Sequence, residues 1–405
     1  MWRRPPNPLK GEQKLKKLTG MKNGSKEMKE ANQKLPLQGA GGARIIISGG
    51  GTGGHIFPAI AIANALKAID PKTEILFVGA LGRMEMEKVP AAGYKIIGLD
   101  IRGIQRDSIW KNVMFPVKLV GSVRKALQII KDFKPDAAVG VGGYASGPLL
   151  YAASMKKIPY LIQEQNSYAG ITNKWLGKGA QKICVAFDNM EQFFPAEKII
   201  KTGNPIRKDS VNIAGKHMQA LELYKLSTFK KTILITGGSL GARTLNNSIM
   251  AGLDKLIAAD VQIIWQTGKF YYKTIIEKLG DDHHPDIKIR EFLTRMDLAY
   301  AAADVIISRA GAGTIAELCV VKKPVILVPS PNVAEDHQTK NALALVQEDA
   351  AIFVADRDAE AKLVDRAIEL LNDKSLQRKL STNIGKMAMP NADEVIAKEL
   401  LQIIK

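Results

Sequence analysis

Three glycine-rich stretches lie about ninety residues apart, each between an apolar run and a helix-like segment. They are Ser48-Gly49-Gly50-Gly51-Thr52-Gly53-Gly54-His55, Val139-Gly140-Val141-Gly142-Gly143-Tyr144-Ala145-Ser146-Gly147-Pro148 and Thr236-Gly237-Gly238-Ser239-Leu240-Gly241-Ala242. Glycine lets the backbone approach a ligand and turn its N–H groups outward, and a following helix adds partial positive charge, so each stretch can hold a phosphate. One such loop reads equally as a tight βα turn. Three of them point to two phosphorylated ligands, or one diphosphate and one charged partner, in a cleft between two α/β halves.

Other residues near such loops carry chemistry. His55 closes the first loop at an expected helix N-terminus, where the dipole disfavours imidazolium and leaves a neutral ring able to accept a proton. It reads as a general base or as a capping histidine. Glu317 follows the small-residue turn Ser308-Arg309-Ala310-Gly311-Ala312-Gly313 and falls early in a helix. It suits a ribose diol, or complements the dipole as a first-turn acid. The run Glu335-Asp336-His337-Gln338-Thr339-Lys340-Asn341 offers hydrogen-bonding side chains before a helix, for sugar hydroxyls or for solvent.

The first loop also fits Gly-x-Gly-x-x-Gly, the dinucleotide fingerprint, which would make an oxidoreductase. That fingerprint needs an acid at the end of the next strand. The strand expected at 74–78 ends in Gly79-Ala80 with Glu74 at its other end, so NAD is disfavoured. No GxxxxGK[ST] motif occurs. The single DxD, Asp356-Arg357-Asp358, starts a late helix far in sequence from the glycine loops and reads as a cap, so no metal site is expected.

These residues need elements to hold them. Apolar runs at 44–48, 74–78, 95–99, 137–141, 160–163 and 182–186 read as buried parallel strands, alternating with helices such as 58–68. Gly203-Asn204-Pro205-Ile206-Arg207 breaks the pattern, and strands resume at 232–236, 261–266, 287–291, 305–308, 325–328 and 351–354. Two βαβ series of this kind make an α/β protein of two doubly wound, Rossmann-like domains facing across a cleft. Residues 391–405 read as a closing amphipathic helix with Asn391 as its cap.

The chain has 405 residues, enough for two cores, and a formal net charge of +18. Ten of the Lys and Arg residues lie in 1–43, a polar stretch expected to be a disordered extension. A basic excess attracts nucleic acid, anionic membrane or phosphorylated substrate. No zinc-finger spacing or aromatic-basic RNA signature is present, so no nucleic-acid partner is expected. Cys184 and Cys319 sit in apolar settings and read as buried thiols of a reducing compartment. No apolar run is long enough to span a bilayer, and the N-terminus lacks a signal-peptide core, so a cytoplasmic location is expected.

In order along the chain, Gly50-Gly51-Thr52-Gly53-Gly54-His55, Gly142-Gly143-Tyr144-Ala145-Ser146-Gly147-Pro148, Glu164-Gln165-Asn166, Thr202-Gly203-Asn204-Pro205-Ile206-Arg207, Gly237-Gly238-Ser239-Leu240-Gly241-Ala242, Ser308-Arg309-Ala310-Gly311-Ala312 and His337-Gln338-x-x-Asn341 resemble the MurG family. These are the bacterial peptidoglycan N-acetylglucosaminyltransferases of GT-B fold. The similarity runs from Arg44 to the C-terminus and excludes the basic extension. It implies transfer of N-acetylglucosamine (GlcNAc) from UDP-GlcNAc to the C4 hydroxyl of undecaprenyl-diphospho-MurNAc-pentapeptide (lipid I), with inversion and no cofactor.

The resemblance further implies an acceptor-binding, membrane-associating domain at 44–204, a donor-binding domain at 205–389, and a helix at 390–405 packing back on the first. Arg207 and Ser239 would hold the donor diphosphate, the backbone near Leu293 and Met296 the uracil, Glu317 the ribose, and Gln338 and Asn341 the sugar. Thr52, Gly53, Gly54, His55, Gly142, Gly143, Tyr144 and Asn166 would surround the acceptor diphosphate and the reacting hydroxyl. No role is assigned to His337.

A lipid acceptor implies work at the cytoplasmic face of the membrane, with cell-wall synthesis proteins as possible partners. The stretch from Trp110 to Leu119 combines apolar and cationic residues that suit peripheral attachment; the same pattern also fits a buried helix with solvated lysines. A different GT-B transferase on a lipid acceptor, or a nucleotide-sugar-binding scaffold without catalysis, remain the alternatives.

Overall fold

The computed structural model describes residues 42–103, 113–280 and 283–404. Within it, strands β1 (Arg44–Gly49), β2 (Glu74–Ala80), β3 (Lys95–Leu99), β4 (Ala137–Gly142), β5 (Tyr160–Glu164), β6 (Lys182–Val185) and β7 (Ile199–Lys201) form one parallel sheet in the order 3-2-1-4-5-6-7. A second parallel sheet contains β8 (Lys231–Thr236), β9 (Val261–Gln266), β10 (Ile287–Arg290), β11 (Val305–Ser308), β12 (Val325–Leu327) and β13 (Ile352–Phe353), in the order 10-9-8-11-12-13.

The apolar runs become central strands because both faces are covered. Ile233 and Ile235 of β8 join Val261, Ile263, Trp265, Val305 and Ile307 in one core, while Leu234, Ile264 and Ile306 enter a second core on the other face. Such two-sided burial is the signature of a doubly wound sheet.

Strand order reverses between β1 and β4 in the first lobe and between β8 and β11 in the second. A crevice opens at each reversal beyond the carboxyl ends of the strands, and ligands bind there. The first and second glycine loops follow β1 and β4; the third follows β8, and the Arg309-Ala310-Gly311 turn follows β11. Topology thus gathers all the suspected loops at the two switch points.

Helices α1 (Gly53–Ile69), α2 (Glu85–Ala91), α3 (Phe115–Phe133), α4 (Ser146–Met155) and α5 (Ile171–Gly177) serve the first lobe. In the second, α6 (Arg243–Ala251) leaves the third loop, α7 (Met296–Ala302) precedes β11, and α8 (Ala312–Val321) and α9 (His337–Gln347) flank β12. The last helix, α10 (Ala392–Gln402), packs against α1, and Lys182 of β6 bonds both Glu399 and Gln402 on it.

Three expectations shift. Helix α1 begins at Gly53, five residues before the expected start, because the His55 and Ile56 N–H groups already donate to the Thr52 carbonyl. Strand β7, only Ile-Ile-Lys and part-exposed, carries too short a pattern to be seen in the sequence. Asn391 precedes α10, but its side chain makes no capping bond.

Candidate active site

Loop one is built around a buried carboxylate. Glu85, 1% exposed at the start of α2, accepts hydrogen bonds from Gly51 N (2.8 Å) and Ala80 N (3.0 Å). A Cβ on Gly50 would lie 2.2 Å from Glu85 Oε1, and one on Gly79 2.6 Å from its Cγ, so both positions must be glycine for the acid to fit. The Gly51 amide therefore faces its own protein. Gly53 and Gly54, in the first turn of α1, carry N–H groups that no helical carbonyl can take, and these remain to meet an anion.

Loop two closes on loop one. Gly50 N donates to Gly142 O at 3.2 Å, and Gly143, at φ +92°, lies so near that an added Cβ would stand 2.3 Å from Gly50 O. Ser146 Oγ donates to Ser48 O (3.1 Å) and Gly142 O (2.9 Å), tying the two strand ends together. The ring of Tyr144 lies beside Gly51 and fills space that Gly103 leaves open.

His55 sits between the two loops. Its Nδ1 is 3.1 Å from Gly50 O, and a carbonyl can only accept, so Nδ1 carries the proton and Nε2 keeps a lone pair. Nε2 and Cδ2 lie against Gly142, where a Cβ would stand 2.8 Å and 2.6 Å from them. Burial lowers the His55 pKa, opposed by the charge of Glu164 and the Gly50 carbonyl, so the ring is neutral at pH 7. The neutral form matches the sequence reading, with burial as the first cause.

In the second lobe, Glu317 on α8 accepts a hydrogen bond from Tyr300 Oη (3.1 Å) and pairs with Arg207 Nη2 at 3.8 Å. Burial raises its pKa, against the lowering by Arg207 and Tyr300. The Arg207 guanidinium also lies 5.8 Å from the ring centroid of Phe57, on α1 two residues after His55. One side chain thus touches the helix bearing the candidate base and the acid of the opposite lobe.

Ser239 is exposed in loop three, which is shaped by Gly238 (φ +84°) and Gly241 (φ +87°) and held by Lys269 N donating to Ser239 O at 3.2 Å. Gln338 uses its side-chain oxygen on Ser330 N (2.9 Å), so what it can offer a sugar is its NH2 group. Leu293 is buried and its N–H donates to Gln266 Oε1 (2.9 Å), which leaves its carbonyl, and the unpaired first-turn N–H of Met296 on α7, for a base.

Asn341 and Asn166 bond to each other across the lobes. Asn341 is 0% exposed; its oxygen accepts from Ser167 N (2.9 Å) and Ser167 Oγ (3.0 Å), and its NH2 reaches Asn166 Oδ1 (3.2 Å) and Ala310 O (3.4 Å). The amide thereby clips one lobe to the other. Asn166 spends its own amide on Asn341 and Glu164 (3.4 Å). Buried Glu164 shapes that turn by accepting from Asn166 N, Gly170 N and Asn173 Nδ2 at 2.9–3.1 Å.

The DxD reading also changes. Asp356 reaches Arg309 Nη1 (2.5 Å) and accepts from Thr244 Oγ1 (2.9 Å) on α6, so it braces two loops of the second lobe from which the sequence seemed to separate it. Asp358 makes no capping bond. Among the described residues no three His, Cys, Asp or Glu side chains are grouped to hold a metal.

Sequence reasoning assigned no role to Glu85, Tyr300 or Arg309, whose parts depend on contacts across the fold. A cavity of about 470 Å³ lies on the hinge side, lined by Tyr168, Phe193, Cys319, Lys340 and Met389. None of the three glycine loops borders it, and burial pushes the Cys319 thiol up to about 12.

Residues 45–185 match the glycosyltransferase family 28 N-terminal domain, and residues 232–398 match the C-terminal domain of the same family. The chain belongs to glycosyltransferase family 28. Its relatives include the UDP-N-acetylglucosamine--N-acetylmuramyl-(pentapeptide) pyrophosphoryl-undecaprenol N-acetylglucosamine transferase of Parabacteroides distasonis, 57% identical over 361 residues, which covers 89% of this chain and 98% of that protein. The protein of the same description from Bacteroides fragilis is 56% identical over 375 residues, 92% of this chain and 99% of its own. The crystal structure of Acinetobacter baumannii MurG superposes with a TM-score of 0.73 at 29% identity, over 89% of this chain and 100% of that one. These likenesses bear out the MurG resemblance and the two-lobed GT-B architecture.

Proposed function

We propose that the protein moves GlcNAc from UDP-GlcNAc to the C4 hydroxyl of undecaprenyl-diphospho-MurNAc-pentapeptide. The observation that carries this reading is the bridge made by Arg207, which joins the helix of a neutral, correctly tautomeric His55 to Glu317 of the other lobe. Names of relatives at 56–57% identity support the choice of donor and acceptor.

The groups fit a single displacement with inversion. His55 Nε2 takes the proton of the C4 hydroxyl as its oxygen attacks the anomeric carbon; the bond from that carbon to the β-phosphate oxygen breaks, and its electron pair leaves with UDP. Arg207, the Ser239 hydroxyl and the free N–H groups at the start of α6 stabilise the charge that develops on the diphosphate. Glu317 holds the ribose, Gln338 the sugar, and the backbone at Leu293 and Met296 the uracil. The first-turn amides of α1 receive the acceptor diphosphate.

The acceptor requires a membrane surface. Trp110 lies outside the described residues, but Val113, Met114, Val117, Leu119 and Val120 are exposed on and before α3, which supports the attachment reading of this stretch. Neighbouring α4 and α5 expose Tyr151, Met155, Ile171 and Trp175 beside Lys156, Lys157 and Lys178. An apolar face rimmed by cations suits peripheral attachment to the cytoplasmic leaflet. No described helix is long and apolar enough to cross a membrane.

The test is incubation of purified protein with UDP-GlcNAc and a short-chain lipid I analogue, following UDP release. Release that requires both substrates supports the reading. Release with UDP-GlcNAc alone, or none at all, overturns it.

A further inference from the structure

We propose that Arg83, in the turn between β2 and α2, is an acceptor-binding residue that pairs with the diphosphate of the lipid acceptor. The inference rests on the acceptor reading above and extends it to a segment given no role so far.

Two contacts fasten this turn to loop one. On the buried side, Glu85 takes the Gly51 and Ala80 amides, as described. On the exposed side, the Arg83 guanidinium lies 5.5 Å from the centroid of the Tyr144 ring, which itself lies beside Gly51 and against Gly103. Tyr144 thus forms a platform that holds a cation next to the meeting point of loops one and two. A guanidinium on an aromatic face keeps its N–H edge free to bind an anion in two places.

Charge makes this cation necessary. Loop one already holds the Glu85 carboxylate beneath it, and an acceptor diphosphate brings two more anionic groups. Residues 49–55, 140–148 and 164–170, the loops of this lobe that face the switch point, contain no Lys or Arg. Arg207 reaches α1 from the linker but pairs with Glu317 on the donor side. Arg83 makes no ion pair among the described residues, and it is exposed. Among the described residues it is the cation held on the Tyr144 ring beside loop one.

The test compares wild type with Arg83→Ala and Arg83→Lys on short-chain acceptors carrying either a diphosphate or a monophosphate link. Losing a charge-assisted, two-point contact should raise the KM for the diphosphate acceptor by about 10- to 100-fold, with Lys intermediate. The KM for UDP-GlcNAc should stay within about twofold, and the penalty should shrink on the monophosphate acceptor. Equal penalties on both acceptors, or a change confined to kcat, would show that Arg83 merely steadies Tyr144 and would overturn the inference. Wild type inactive on every lipid acceptor would instead sink the functional reading itself, so the two failures are distinct.

Discussion

At the level of single side chains, the decisive feature is the imidazole of His55, whose tautomer is set by one carbonyl. Replacing it with Ala should lower kcat by about 10²- to 10⁴-fold while equilibrium dialysis still finds UDP-GlcNAc bound. Unchanged turnover would remove the base role. The pH profile gives an independent check. Burial lowers the His55 pKa below its ordinary 6.5, so the base is neutral above that value and is lost by protonation only as the pH falls further. The acid limb of kcat should therefore lie below pH 6.5. Glu317 is displaced the other way, upward from 4.5, so its carboxylate also takes a proton earlier than usual as the solution is acidified. Donor KM should rise in that same acid range, and Glu317→Gln should show the higher KM without the pH dependence. His55 and Glu317 were legible in the sequence because each follows a small-residue loop. Glu85 was not, since Met84-Glu85-Met86-Glu87 reads as an ordinary helix start and only the fold reveals the two glycines that admit its carboxylate.

Among the elements, the two glycine loops of the first lobe act as one unit. Gly143 needs both its positive φ and its missing Cβ, because loop one runs directly against it. Gly143→Ala should cost about 1–3 kcal/mol in a urea titration and depress turnover, since the loops must separate to admit the methyl group. The control is Gly82→Ala, where positive φ alone is strained and nothing lies within 4 Å; if the two variants behaved alike, close packing of the loops would not be the cause. Eleven of twelve expected strands fall within one residue of the observed ends; the exception, 74–78, runs on two residues to Ala80. Buried parallel strands announce themselves as apolar runs bounded by glycine, whereas β7 and the first turn of α1 lacked any such signal.

Across the whole molecule, the lobes are joined by buried amides as well as by chain. Asn341→Ala strips partners from the half-buried Ser167 N–H and Asn166 side chain, and each lost hydrogen bond costs about 0.5–1.5 kcal/mol. Thermal stability should fall, and small-angle scattering should report a wider mean separation of the lobes; an unaltered profile with normal stability would deny the clip its role. The resemblance makes this asparagine a sugar ligand, and its bonds to Ser167 and Asn166 across the lobes depend on contacts that no local pattern in the sequence carries. Attachment to membrane is likewise a property of the assembled surface: Trp175 and Val117 are 62% and 61% exposed on separate helices. Paired Val117→Ser and Trp175→Ser changes should reduce flotation with anionic vesicles, and added salt should weaken what remains. Flotation insensitive to both would move the anchor elsewhere.

The chain passes between the lobes twice, once through Gly203 and once on its way to α10, and the two passes touch: a Cβ on Gly203 would lie 2.6 Å from Cβ of Met389. Both covalent straps therefore run over a single pivot. With its straps pinned side by side, the enzyme can gape like a book on its spine, but it has little freedom to shear one cover past the other.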